Sequence, residues 1–125
     1  MDENSIATAV IGAAIEAHKA LGPGLLESAY HDCLIHELRL RSIAYETEVP
    51  LAVEYKGLVI DHAYRTDLLI GGKILVELKA VERIESVHKA QLITYLKLAN
   101  RKLGLLINFN VRVLKDGIHR VVNNL

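Results

Sequence analysis

A chain of 125 residues, 51% hydrophobic and 24% charged, has the size and balance of one globular domain and not of a disordered chain. No apolar run approaches the ~18 to 20 residues that cross a bilayer, so no membrane partner is expected. The opening Met1-Asp2-Glu3-Asn4 is acidic where a signal peptide is basic, which sets the expectation of a cytoplasmic protein. The formal charge of zero removes the simplest argument for nucleic acid, but it is unevenly spread. Residues 1–60 carry 9 acids and 4 bases, residues 61–125 carry 6 acids and 11 bases. The second half therefore offers a candidate basic surface, although solvated faces of ordinary proteins show similar asymmetry.

In chain order, Ile6, Val10, Ile11, Ala14, Ile15, His18 and Leu21 recur at three- and four-residue spacing, which predicts an amphipathic helix. Gly22-Pro23-Gly24 ends it. A second helix places Leu26, Tyr30, Cys33, Leu34 and Leu38 inward and fades near Ser42. The single cysteine cannot form an internal disulfide, which agrees with a reducing compartment, and its helical neighbours make it a buried small hydrophobe. From Tyr45 the period changes to two. Strands are predicted over 45–55, 58–70 and 74–80, separated by Lys56-Gly57 and Gly71-Gly72-Lys73, with Pro50 marking an edge strand or a bulge. A third helix is predicted over 86–100 and a buried strand over 103–109. Lys115-Asp116-Gly117 marks a final hairpin between 111–114 and 118–122. No repeat, linker or low-complexity tract interrupts these elements.

The turn at Gly71-Gly72 decides where the charges point. A two-residue loop would set Asp67 opposite Val76 and mix polar and apolar groups on both faces. A three-residue loop, Gly71 to Lys73, pairs Ile70 with Ile74, Leu68 with Val76 and Thr66 with Leu78. Leu68, Ile70, Ile74, Val76 and Leu78 then form one apolar face. Arg65, Asp67, Leu69, Leu75, Glu77 and Lys79 form the other, with Asp67 opposite Glu77. Patterning fixes register because a one-residue slip turns every side chain over, so the three-residue loop is expected. Two carboxylates so placed repel unless a cation lies between them. Arg65 and Lys79 are candidates for that role, and so is a divalent metal.

Asp67 followed by Glu77-Leu78-Lys79 resembles the Asp…(D/E)-x-K signature of the PD-(D/E)xK nuclease superfamily, with Thr66 where the name expects proline. Gly24-Leu25-Leu26-Glu27-Ser28-Ala29-Tyr30 resembles the G-x-x-E-x-x-Y motif of the GxxExxY protein family within it. His88-Lys89-Ala90-Gln91-Leu92 with Tyr95-Leu96, and Gly104-Leu105-Leu106-Ile107-Asn108-Phe109, resemble that family's following helix and strand. The resemblance runs from about Ile6 to Val122. It implies a restriction-endonuclease-like αβββαβ core with a mixed central sheet flanked by helices. It also implies a Mg²⁺- or Mn²⁺-dependent phosphodiesterase site. Asp67, Glu77 and the backbone carbonyl of Leu78 would be metal ligands, with Glu27 reaching the site from the second helix as a further ligand or through water. Lys79 would position or deprotonate the attacking water, and Gln91 would orient water or phosphate. Tyr30, Arg65, His88 and Tyr95 are the candidate substrate contacts.

Each role has a structural rival. Glu27 would favour the helix dipole at N3 if Gly24 is the N-cap. Tyr30 would serve as core, Arg65 as a charge offset, and His88, Gln91 and Tyr95 as a packing stripe. Three functions remain in view: a nuclease acting on DNA or RNA, a non-catalytic nucleic-acid- or protein-binding module that keeps the fold, and a hydrolase of a small phosphorylated molecule. The nuclease reading draws on Lys89, Lys97, Arg101 and Lys102 for phosphate-dominated contacts of low sequence selectivity. A homodimer is left open.

Overall fold

Helix α1 (Glu3–Leu21) begins where the Asp2 side chain accepts the Ser5 N–H at 2.8 Å, and ends where Gly22, at φ 68°, donates its N–H to the His18 carbonyl. Its buried stripe, Ile6, Ala7, Val10, Ala13, Ala14, Ala17 and His18, follows the helical period and packs beside α2 (Glu27–Leu40). The structure is a computed structural model and describes all 125 residues. In α2 the inward residues are Tyr30, Leu34, Ile35 and Leu38. Leu26 departs from expectation, because it is the N-cap and lies exposed. Cys33 is half-buried, not enclosed.

Strands β1 (Tyr45–Tyr55), β2 (Leu58–Ile70) and β3 (Ile74–Lys79) form an antiparallel meander, and α3 (Ser86–Ala99) crosses over to β4 (Leu103–Asn108), parallel to β3. A short 3₁₀ turn at Leu114–Gly117 leads into β5 (Ile118–Val122), antiparallel to β4. The sheet order is β1-β2-β3-β4-β5. Helices α1 and α2 cover one face through a core that includes Tyr30, Leu68, Val76, Leu78 and Phe109. Helix α3 covers the other through Leu92, Tyr95 and Leu96 packed on Leu51, Leu69, Leu75 and Leu106. Covered on both sides, β4 is buried at every position, as its apolar run required. Gly104 admits α3 closely, since an added Cβ would sit 3.0 Å from Leu92.

The β2–β3 register is the one the three-residue loop demands: Leu68 pairs with Val76, Leu69 with Leu75, Ile70 with Ile74. A one-residue slip of β3 would turn Ile74, Val76 and Leu78 away from the α1–α2 core they fill. It would set the Glu77 carboxyl among the apolar side chains of that core, without the Thr66 hydroxyl and Asp67 N–H that satisfy it. Pro50 lies on an edge strand, β1, and the β1–β2 ladder shifts between Leu51 and Val53. The final hairpin is a correction. Residues 111–114 form no strand, and β5 pairs with β4 alone. The alternation of Val111-Arg112-Val113-Leu114 comes from a bend in which Leu114 turns inward and Val113 outward.

Candidate active site

Regular pairing of β2 with β3 stops at Leu68–Val76, and beyond it side chains take over the backbone's hydrogen bonds. Glu77 Oε1 accepts the Thr66 hydroxyl at 2.7 Å and the Asp67 N–H at 3.1 Å, while Asp67 Oδ2 accepts the Leu78 N–H at 2.9 Å. The two carboxyls thus face each other across the splayed end of the hairpin, each tethered to the opposite strand. Glu77 is only 6% exposed. Burial, and then the Asp67 charge, push its pKa up to about 8, against the pull of the Thr66 hydroxyl and the Asp67 N–H. Thr66, fully buried, is a site residue that sequence reading passed over. Its only signal is a hydroxyl inside an apolar strand.

Glu27 arrives from the start of α2, and a local device fixes it there. Gly24 takes φ 100°, a conformation suited to glycine. The Tyr30 hydroxyl donates to the Gly22 carbonyl at 2.6 Å and accepts the Leu25 N–H at 3.1 Å, closing the loop onto the first turn of α2. Leu26 is therefore the N-cap and Glu27 the first helical residue, not the third. The carboxyl of Glu27 has its pKa raised by partial burial and by Asp67, and lowered by Lys79 and His31, so it lies in the field of the same site. Tyr30 itself is fully buried and stacked on Phe109 with centroids 4.6 Å apart. It has no free surface for a substrate and acts as the loop's clasp. Tyr30→Phe should destabilise the fold by ~1 to 3 kcal/mol, because two part-buried hydrogen bonds, to the Gly22 carbonyl and from the Leu25 N–H, are lost together. Urea denaturation measures this, and a loss below about 0.5 kcal/mol would contradict the clasp.

Lys79 follows Glu77 by two residues, is half-buried and forms no ion pair. The segment after it is pinned by Asn108, another residue not foreseen. Asn108 Nδ2 donates to the Val81 carbonyl at 2.9 Å and its Oδ1 accepts the Val81 N–H at 3.1 Å. On α3, Tyr95 is buried and its ring lies 5.7 Å from that of Tyr64. Its pKa is raised by burial, then by Glu77, Tyr64 and Asp67, which places it beside the carboxylates. Gln91 is exposed one turn earlier. The remaining candidates have other occupations. His88 Nδ1 accepts the Glu85 N–H at 2.9 Å in a capping box that starts α3. Arg65 pairs across to Glu48 on β1 at 3.4 Å and does not offset the Asp67–Glu77 pair. Arg101 bonds the Ala99 and Asn100 carbonyls at the end of α3, leaving Lys89, Lys97 and Lys102 as the exposed bases of that surface.

A family model of the PD-(D/E)XK nuclease superfamily matches residues 4–121, and the chain belongs to that superfamily. No curated protein and no solved structure matches it. Three helices around a five-stranded mixed sheet agree with the restriction-endonuclease-like α/β fold. Membership points to nuclease chemistry on nucleic acid, and superfamily nucleases generally use divalent metals. No helix is long and apolar enough to cross a membrane.

The donor set allows a test of which metal fits. No group of three or more His, Cys, Asp or Glu side chains is arranged to hold an ion, so Glu27 does not join Asp67 and Glu77 as a third ligand in this geometry. A tetrahedral zinc site needs three or four protein ligands. Mg²⁺ is commonly held by one or two carboxylates with water and phosphate completing its shell. Two facing carboxyls, Asp67 and Glu77, fit that second pattern.

Proposed function

We propose that the protein is a Mg²⁺- or Mn²⁺-dependent nuclease that hydrolyses phosphodiester bonds of DNA or RNA at the Asp67–Glu77–Lys79 site. The observation that carries this is the pair of opposed carboxyls at the splayed end of β2 and β3, with Lys79 one pleat further and Glu27 in the same field. Asp67 and Glu77 would hold the cation, which would neutralise charge on the phosphate and acidify a nearby water. Thr66 and the Asp67 N–H keep the Glu77 carboxylate aimed, and the Leu78 N–H does the same for Asp67. Lys79 places a positive charge where the transition state gathers negative charge. Gln91 is the exposed polar group of α3 suited to orient water or phosphate. Tyr95 backs the carboxylates without reaching solvent. The Gly24–Glu27–Tyr30 arrangement supports placing the chain in the GxxExxY family. A single half-buried, unpaired thiol at Cys33 supports a reducing, cytoplasmic setting.

The test is cleavage of labelled single- and double-stranded DNA and RNA with Mg²⁺, Mn²⁺ or EDTA, alongside mononucleotides. The expected result is metal-dependent oligonucleotide cleavage that disappears in Glu77→Ala. Cleavage of mononucleotides alone would indicate a small-molecule hydrolase. No metal-dependent cleavage, with nucleic acid still bound, would indicate a binding module.

A further inference from the structure

Strand β2 bulges immediately before Tyr64. Leu51 pairs with Tyr64 and Val53 with Ile60, so Ala52 on β1 opposes Asp61, His62 and Ala63 on β2, and His62 takes φ 56°. Left-handed backbone is uncommon outside glycine, and bulges beside active sites re-aim side chains. Here the bulge sets the Tyr64 ring 5.7 Å from Tyr95, tilted by 43°. Tyr95 is 6% exposed and anchored among Leu51, Leu92 and Leu96, while Tyr64 is 47% exposed. Covering Tyr95 needs only an aliphatic side chain, the service Leu51 already gives. A half-exposed ring held against a buried one offers in addition a rigid, free aromatic face.

That face stands three residues from Asp67, ~10 Å along the strand, and two from Thr66, which holds Glu77. The surroundings favour one direction of approach. On the α2 side, a cavity of about 490 Å³ is lined by Glu27, Ser28, His31, Asp32 and Glu48, a mostly acidic wall with no hydrophobic residue. A phosphate chain is repelled there and left to approach from the Tyr64 side. Arg65, next to Tyr64, is well exposed and held only by its 3.4 Å contact to Glu48. Bases within a duplex are already stacked on their neighbours and do not present a face to a side chain, whereas unpaired bases stack on aromatic rings.

We propose that Tyr64, backed by Tyr95, is the stacking platform for an unpaired base beside the scissile phosphate, so that the site takes single-stranded nucleic acid in preference to intact duplex. The position of the scissile phosphate rests on the nuclease reading above; the platform itself does not.

The experiment compares wild type, Tyr64→Ala, Tyr64→Leu and Tyr64→Phe. Binding of a short fluorescein-labelled oligothymidine, and of its duplex with oligoadenine, is measured by anisotropy with Ca²⁺ replacing Mg²⁺; cleavage is then measured with Mg²⁺. Melting curves establish that each variant is folded. Loss of one stacked base should weaken single-strand binding ~10-fold or more in the alanine and leucine variants, with duplex binding unchanged and Tyr64→Phe close to wild type. A leucine variant that binds single strands like wild type would reduce Tyr64 to a cover for Tyr95 and overturn the proposal. Equal losses on single strand and duplex, or no single-strand binding by wild type, would overturn it too. Tyr64-dependent binding without Mg²⁺-dependent cleavage would uphold the platform and sink the nuclease reading. Cleavage indifferent to Tyr64 would do the reverse.

Discussion

Lys79→Ala should lower turnover on nucleic acid by ~10² or more while leaving the fold and the carboxylate pair in place. The size follows from position. Lys79 lies two residues beyond Glu77 on β3, hence on the same strand face, one pleat along. It is half-buried and has no ion-pair partner of its own, so its charge is available to the site; Glu27 already feels it. A cation whose partner appears only as phosphate charge develops contributes to the transition state more than to the ground state, and its loss shows in kcat. Metal binding should persist or tighten, since removing a neighbouring positive charge cannot weaken a carboxylate's hold on a cation. Stability should change little, because the side chain makes no hydrogen bond that folding depends on. If Lys79 were only part of a surface charge cluster, the variant would show a small melting shift and unchanged cleavage. Turnover equal to wild type, with Glu77→Ala inactive in the same assay, would remove Lys79 from the machinery.

What the sequence made legible and what it concealed divide along a physical line. The carboxylate pair was readable because burial of Leu68, Val76 and Leu78 dictates the register, and register dictates what stands opposite Asp67. Pro50 announced an edge strand for an equally direct reason, its missing N–H. Other residues depend on contacts distant in the chain. Thr66 matters because Glu77, eleven residues on, needs a donor, and Asn108 matters because the Val81 backbone, 27 residues back, needs both a donor and an acceptor. Neither partner is visible from local pattern. Arg65 shows the converse: proximity to Asp67 in sequence suggested a charge offset, yet the β1–β2 pairing brings Glu48 to it first. Tyr30 and His88 invite assignment as substrate contacts, being polar aromatic groups at helical spacing from a candidate site. Their hydrogen bonds are instead local, closing a loop and capping a helix. The bend at 111–114 imitates a strand in its residue types alone: Val111-Arg112-Val113-Leu114 reads as β-prone, yet Arg112 and Val113 both face out and only Leu114 is buried.

The metal-free protein should lose stability as pH rises from about 5 to 8, and Glu77→Gln should abolish most of that loss. Glutamate ordinarily titrates near 4.5, whereas burial and the Asp67 charge push Glu77 up to about 8. Between those values the folded protein keeps a proton that the unfolded chain has released. Folding therefore binds a proton, and stability falls with rising pH: it is fully present below about 4.5 and is lost progressively until the folded group ionises near 8. Each pKa unit corresponds to about 1.4 kcal/mol, so the loss amounts to a few kcal/mol, or roughly 10 °C in melting temperature for a domain of this size. Glutamine retains an oxygen for the Thr66 hydroxyl and the Asp67 N–H but carries no titrating proton, so its melting temperature should run nearly flat over the same range. Asp67→Asn removes the repelling charge and should shrink the slope without erasing it, since burial, the larger cause, remains. Added Mg²⁺ should act in the opposite sense to pH. A cation held by the ionised pair stabilises the native state by mass action, with a larger gain at pH 8 than at pH 5.5, because at lower pH it must displace the proton. Differential scanning fluorimetry across pH, with and without millimolar Mg²⁺, measures all of this in one series. Parallel pH slopes for wild type and Glu77→Gln would show that Glu77 titrates normally, and a melting temperature indifferent to Mg²⁺ at pH 8 would deny the pair a cation.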